Sequence, residues 1–456
     1  MVFSSIEFLY YFLPLILLVY FIVPKRFKNL CLLLFSLVFY AFGEPVYIVL
    51  MVFSSVVDYV NGLLVERYRG TKLSKVFLVT SIIINLGLLA TFKYYGLIID
   101  SINALTGLEL IAHALPLPIG ISFYTFQTMS YTVDVYRGEV KAQKNFINFA
   151  CYVSLFPQLI AGPIVRYKDI AKQLVERKES TSKFSEGVER FVYGLGKKVL
   201  IANNIGLIAE QALAGSHTTL STWIYAVAFG MQIYFDFSGY SDMAIGLGKM
   251  FGFDFKENFN YPYISKSITE FWRRWHMSLG AWFRDYLYIP LGGNRKGGLR
   301  FILNILIVWS VTGLWHGAEV NFILWGMYFG IILLIEKLFL GKYLQKNRII
   351  AHIYVLVIVA VSWVIFTSGS VSMFMSMLKG LAGIGVPLSN KYSVFLLKEG
   401  MVIFIIAFIF AMPTFRKVKD TVWYKAITPV VLVLIMVLST AFIVDSSFNP
   451  FLYFRF

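Results

Sequence analysis

The chain has 456 residues, 58% of them hydrophobic and 14% charged, against roughly 25% charged in an ordinary soluble domain. Uncharged stretches long enough to cross a roughly 30 Å hydrocarbon core recur along it, which excludes a soluble globule. The net charge of +16 gathers in short loops between apolar runs, the positive-inside distribution of a membrane protein and not that of a nucleic-acid binder. Membrane lipids are the expected surroundings, and nucleic acid is not an expected partner.

The first apolar run, 8–24, follows Glu7 and precedes Lys25, Arg26 and Lys28. It lacks the basic leader of a secretory signal, so it is expected to stay as an anchor with its amino terminus outside. Segment 29–43 returns outward to Gly43, Glu44 and Pro45. Segment 45–65 goes in again to Arg67, Arg69, Lys72 and Lys75, and 76–98 comes out to a loop, 99–116, with acids but no Lys or Arg. Segment 117–133 enters and reaches Arg137, Lys141 and Lys144. The next uncharged run, 146–165, has basic flanks on both sides and contains Pro157, Gly162 and Pro163, which deny a continuous helix its hydrogen bonds. A re-entrant segment satisfies both facts, because broken backbone at membrane depth is tolerated only inside protein or a watery cavity.

The polar stretches 134–145 and 166–198 are expected to be connecting segments, the second containing pieces of cytoplasmic surface helix. Segments 199–214 and 222–248 form another pair. The aromatic, amphipathic stretch 263–290 again has basic loops on both sides, ending at Arg295 and Lys296, and predicts a second re-entrant or interface-lying element. Segments 301–316, 320–336, 349–368, 400–415 and 426–445 then alternate, with Lys342, Lys346, Arg348, Arg416, Lys417 and Lys419 inside. The expectation is an all-α polytopic membrane protein with about twelve transmembrane helices plus two re-entrant or interfacial elements, forming one membrane domain over 1–456 with no separate soluble domain. Cys31 and Cys151 both lie in apolar stretches and are expected to be buried spectators.

Ionisable groups inside membrane segments cost about 2.5–3.5 kcal/mol each, so they carry information. Of five histidines, His113 and His217 fall in predicted outer loops and His352 opens a crossing beside Arg348. His316 sits between two strongly apolar segments with Gly313 and Gly317 around it. Imidazole is the side chain best suited to accept a proton near neutral pH, so His316 is a candidate base, with a structural helix-end histidine as the alternative. His276 follows Trp272, Arg273 and Arg274. On a continuous helix Trp272, His276, Leu279 and Phe283 would share one face, either as an amphipathic interface helix or as a cavity wall whose arginines meet phosphates. No HExxH pair, Gly-rich phosphate loop or G-x-S-x-G turn is present, and no metal site is expected. Asp236 and Asp242 read as buried acids that hydrogen-bond a neighbouring helix or pair with an arginine.

Five runs together resemble the membrane-bound O-acyltransferase family, in its bacterial alginate O-acetyltransferase-like branch. They are FPQLIAGPI at 156–164, QIYFDFSGYSD at 232–242, FWRRWH at 271–276 with RDYLYIPLGG at 284–293, TGLWHG at 312–317, and NPFLYF at 449–454. The resemblance implies an enzyme of the cell (inner or plasma) membrane built around a central channel. It would take an acyl group from a cytoplasmic thioester, acetyl-CoA in this branch, and pass it outward. No resident cofactor is implied. The acceptor would be a hydroxyl of a cell-surface polysaccharide or peptidoglycan, reached through an extracytoplasmic polysaccharide acetyltransferase partner. It makes His316 the catalytic histidine and His276 the supporting one, with Trp315, Arg273, Arg274, Asp236 and Asp285 as candidate substrate contacts. Charge alternation, however, puts His316 near the outer end of its segment. Two alternatives stay open: D-alanyl transfer to teichoic acid from a carrier-protein thioester, and a transporter of lipid-linked sugars, since broken helices also build transporters.

Overall fold

A computed structural model describes residues 1–111, 115–160, 162–215, 217–295, 297–415, 418, 421–445 and 452. Among the described residues every regular element is helical. Seven helices among the described residues are long and apolar enough to cross a membrane: Ile48–Arg67, Lys72–Lys93, Gly298–His316, Val320–Leu344, Arg348–Thr367, Lys391–Ala411 and Val422–Asp445. The protein is therefore all-α and polytopic. The 32-residue helix Thr219–Met250 has the length but carries Gln232, Asp236, Ser238 and Asp242 through its middle, and it is too polar to join those seven. The chain divides into two compact units, Met1–Phe191 with Ser241–Lys256, and Val192–Tyr240 with Glu257–Phe456.

In the first unit, α1 (Leu13–Ile22) and α2 (Lys28–Ala41) close over an aromatic knot. Phe8 packs on Phe3 at 4.9 Å between ring centroids, and Phe156 on Phe12 at 5.4 Å and on Phe39 at 5.5 Å. Helices α3 (Ile48–Arg67), α4 (Lys72–Lys93) and α5 (Ile121–Arg137) are joined by buried polar groups. Asp58 of α3 accepts hydrogen bonds from the Ser81 hydroxyl, from Asn85 Nδ2 at 2.7 Å and from the Thr132 hydroxyl at 3.3 Å. Away from water each partner is worth keeping, which makes such groups an interhelical adhesive.

The 146–165 run is broken, as its prolines require: α6 (Phe146–Ser154) stops, Leu155 opens to ψ 108°, and a single turn, Phe156–Leu159, follows. The loop predicted at 99–116 is instead helical over Tyr95–Thr106, ended by Gly107 at φ 72°. The absence of Lys and Arg from 99–116 carried no information on whether that stretch is helical. The 166–198 connector folds into α7 (Tyr167–Glu176), which buries Tyr167, Ile170 and Leu174, and α8 (Thr181–Gly196). Ion pairs tie this connector down: Asp169 to Arg166 at 3.1 Å and to Lys256 at 2.5 Å, and Arg190 to Asp242 at 2.7 Å. Asp242 thus has the arginine partner expected of it.

The second unit holds α9 (Asn203–Ala214), α10 (Thr219–Met250, to Tyr240), the short α11 (Ile268–Arg274) and α12 (Met277–Phe283), α13 (Gly298–His316), α14 (Val320–Ile335), α15 (Arg348–Thr367), α16 (Val371–Ala382), α17 (Lys391–Ala411) and α18 (Val422–Asp445). Segment 400–415 begins nine residues earlier than predicted because Asn390 and Ser393 form a capping box that starts the helix ahead of Lys398 and Glu399. Helix α16 was not predicted, and at 12 residues it is too short to span a bilayer. His113, Lys296, Arg416, Lys417 and Lys419 lie outside the described residues, as do Ala161 of the 156–164 run and all of the 449–454 run except Leu452.

Candidate functional site

The two helical segments around His276 are held from both ends. Ser267 caps α11 by accepting the Glu270 N–H, and the buried Glu336 carboxylate, one residue past α14, accepts the Ile268 N–H at 2.5 Å and the Thr269 N–H at 2.9 Å. Negative charge at a helix N-terminus is favoured by the peptide dipoles as well as by these bonds. Trp272 fixes the outer side of α11 against Trp309 of α13 and Phe329 of α14, each at 4.9 Å between rings.

The helix then breaks. His276 sits at φ 45°, ψ 52°, left-handed backbone that costs a non-glycine residue about 1–2 kcal/mol. The helical face predicted through Trp272, His276, Leu279 and Phe283 therefore does not exist, because α11 and α12 are separate helices on either side of the break. The kink turns a 2% exposed His276 ring inward, edge-on to Phe237 of α10 at 4.7 Å. Such strain at a buried polar side chain is the kind that surrounding structure must over-determine.

His316 is the last residue of α13, and Gly317, with extended backbone, ends the helix there. One turn earlier, Gly313 meets Gly326 of α14 so closely that a Cβ on Gly313 would lie 3.2 Å from the Gly326 Cα and inside the envelope of the Phe322 carbonyl oxygen. That contact seats the half-buried imidazole beside Trp325 at 5.1 Å and Phe366 of α15 at 5.5 Å.

His276 and His316 line one cavity of about 30 Å³, with Asp236, Phe237, Trp325 and Phe366 among its walls. A water needs roughly 10–15 Å³ by this measure. The cavity as it stands has room for no more than a water or two, so a thioester and an alcohol can meet there only if its aromatic walls part. Trp315 is buried against both imidazoles, 6.2 Å from His276 and 5.0 Å from His316, outside the cavity wall.

Asp236 reaches the cavity, yet its carboxylate is occupied. Oδ1 lies 2.6 Å from Lys198 Nζ, and Oδ2 accepts the Leu452 N–H at 3.0 Å. Lys198 also donates to Asn203 Oδ1 at 2.9 Å. The remaining candidates stand apart from the cavity. Arg273 is exposed, Arg274 pairs with Glu270 at 2.9 Å and donates to the Asn260 carbonyl, and Asp285 pairs with Arg284 at 2.7 Å. His217 is exposed, and His352 Nδ1 lies 3.0 Å from the Ser265 carbonyl, bracing the turn that precedes α11. Sequence reasoning missed Lys198, Glu336 and Asn258. Lys198 was the most accessible of these, since an acid inside an apolar helix demands a counter-charge.

A family model described as the membrane-bound O-acyltransferase family matches residues 121–378, more than half of the chain and including both histidines. A probable alginate O-acetylase, AlgI, of Pseudomonas putida is 40% identical over the whole of both chains. A peptidoglycan O-acetyltransferase of Helicobacter pylori is 33% identical over 91% of this chain and 87% of its own. A teichoic acid D-alanyltransferase of Bacillus subtilis is 29% identical over 50% of this chain and 62% of its own. With an all-helical polytopic fold and paired histidines at a buried cavity, this chain belongs to the membrane-bound O-acyltransferase family, in the alginate O-acetylase-like branch.

Proposed function

We propose that the protein moves an acetyl group from cytoplasmic acetyl-CoA across the membrane for O-acetylation of a cell-envelope polysaccharide or peptidoglycan, with His316 as the base. The observation that carries this reading is that His276 and His316, forty positions apart, line one cavity. The uncharged His316 imidazole takes the proton of the acceptor hydroxyl as its oxygen attacks the thioester carbonyl carbon. The carbon–sulfur bond breaks, and the proton passes on to the departing thiolate. Aromatic walls keep bulk water out, which protects the thioester from hydrolysis and strengthens polar interactions inside.

In this reading about twelve crossings and two re-entrant elements enclose a channel in the inner or plasma membrane. The donor arrives from the cytoplasm, and an extracytoplasmic partner carries the acetyl group to the polymer. Arg273, exposed at the end of α11, is a candidate for the donor's phosphates. The acetyl reading is favoured over D-alanyl transfer because likeness to the acetylases runs the length of the chain, whereas likeness to the D-alanyltransferase covers half of it.

The test is His316→Ala in membranes supplied with radiolabelled acetyl-CoA. Acetyl transfer should be lost while the amount of inserted, folded protein is unchanged. Undiminished transfer would remove His316 as the base. Export of a lipid-linked sugar that survives the substitution would support a transporter instead.

A further inference from the structure

The segment 257–260 is clasped to the break between α11 and α12. Met277 N–H donates to the Asn258 carbonyl and Asn260 N–H to the Arg274 carbonyl, both at 2.9 Å. Inside this clasp the Asn258 side chain is buried at 1% exposure. Its Oδ1 accepts the Ser278 N–H at 3.2 Å and the Ser278 hydroxyl at 2.8 Å, and it faces His276 Nδ1 at 3.2 Å.

A main-chain N–H can only donate, so the Asn258 atom it meets is the oxygen and not the amide nitrogen. His276 Nδ1 faces that same oxygen and must therefore carry the ring proton. In a neutral imidazole the lone pair then belongs to Nε2. That nitrogen is buried, has no hydrogen-bond partner among the described residues, and belongs to a side chain that lines the cavity.

We propose that Asn258 is a positioning residue that locks His276 in its Nδ1–H tautomer and so presents Nε2 to the cavity as a hydrogen-bond acceptor. The inference rests on the acyl-transfer reading of this cavity and narrows the part His276 plays in it. A neutral His276 held this way cannot donate to the thioester carbonyl oxygen. It holds instead an O–H hydrogen other than the one His316 removes, from a cavity water or from a second hydroxyl of the acceptor, and that hydrogen stays in place through the reaction.

The experiment uses the full-length protein with ring-15N histidine, its His276 signals assigned by their disappearance in His276→Gln. The wild type should show a protonated Nδ1 and a bare Nε2. Asn258→Leu, which keeps bulk and removes the acceptor, should lose that tautomer. Its kcat for acetyl transfer should fall about tenfold or more, the scale seen when a ligating histidine loses its outer hydrogen-bond partner, with little change in KM for acetyl-CoA. Asn258→Asp, which keeps an oxygen at the same place, should retain the tautomer and restore most of the turnover. A wild-type His276 protonated on Nε2 overturns the proposal, and this result needs no variant to fold. So does an Asn258→Leu protein that keeps both tautomer and kcat. If His316→Ala keeps full acetyl transfer, the base assignment fails while the His276 spectrum still decides the role of Asn258.

Discussion

Lys198 and Asp236 form an ion pair whose side chains are 2% and 3% exposed, with Nζ and Oδ1 2.6 Å apart. At an effective dielectric of about 20, two unit charges at this distance attract by about 6 kcal/mol, and the cost of taking both out of water offsets much of that. The pair as a whole therefore adds little, but removing one member leaves the other charge buried without compensation, a loss of about 3–5 kcal/mol. Lys198→Met should lower the melting temperature in detergent by roughly 6–20 °C, at about 2–4 °C per kcal/mol. Asp236→Asn, which still offers an oxygen to the Leu452 N–H, should do comparable damage through the stranded lysine. The double variant Lys198→Met/Asp236→Asn should regain much of the loss, because neither charge remains. Melting curves for the four proteins, read by fluorescence-detected size-exclusion chromatography, close the cycle. A double variant whose loss equals the sum of the two single losses would refute the coupling and with it the view that Lys198 holds Asp236 at the cavity.

Gly313→Ala should push α13 from α14 one turn before His316, because the new Cβ meets Phe322 and Gly326 backbone that cannot swing away. The overpacking costs about 1–3 kcal/mol, and a 1 Å displacement of His316 should lower acetyl transfer on the order of a hundredfold. Gly369→Ala, where a Cβ would meet nothing within 4 Å, should transfer acetyl at the wild-type rate in the same assay. On the connector, burial alone would raise the Asp169 carboxyl, but hydrogen bonds from Lys256 and Arg166 outweigh it and hold the group below its ordinary 3.8. A carboxyl depressed in the folded state contributes stability above its unfolded value and loses it as pH falls through the folded one. Asp169→Asn should therefore be less stable than wild type by about 1 kcal/mol at pH 7, with the gap closing below about pH 3.8. A gap that persists in acid would assign the effect to packing.

Membrane residence, the order of the apolar runs and the break at 146–165 were legible in the sequence. Each depends on local physics: the length of an uncharged run against bilayer thickness, the sidedness of Lys and Arg, and proline's missing N–H. The start of α17 at Lys391 was hidden because an intact capping box outweighs two charged residues in the following turns. The helical face through His276 was misread because periodicity assumes unbroken backbone. Only the tertiary structure decided that break, since the left-handed turn at His276 is held by Asn258 and its neighbours from a segment eighteen residues away. It likewise decided that Asp236 takes Lys198 for its counter-charge, that Arg274 and Asp285 are spent on local pairs, and that two distant histidines share one cavity. Partner choice across a fold depends on distance in space, which a chain's order does not encode locally.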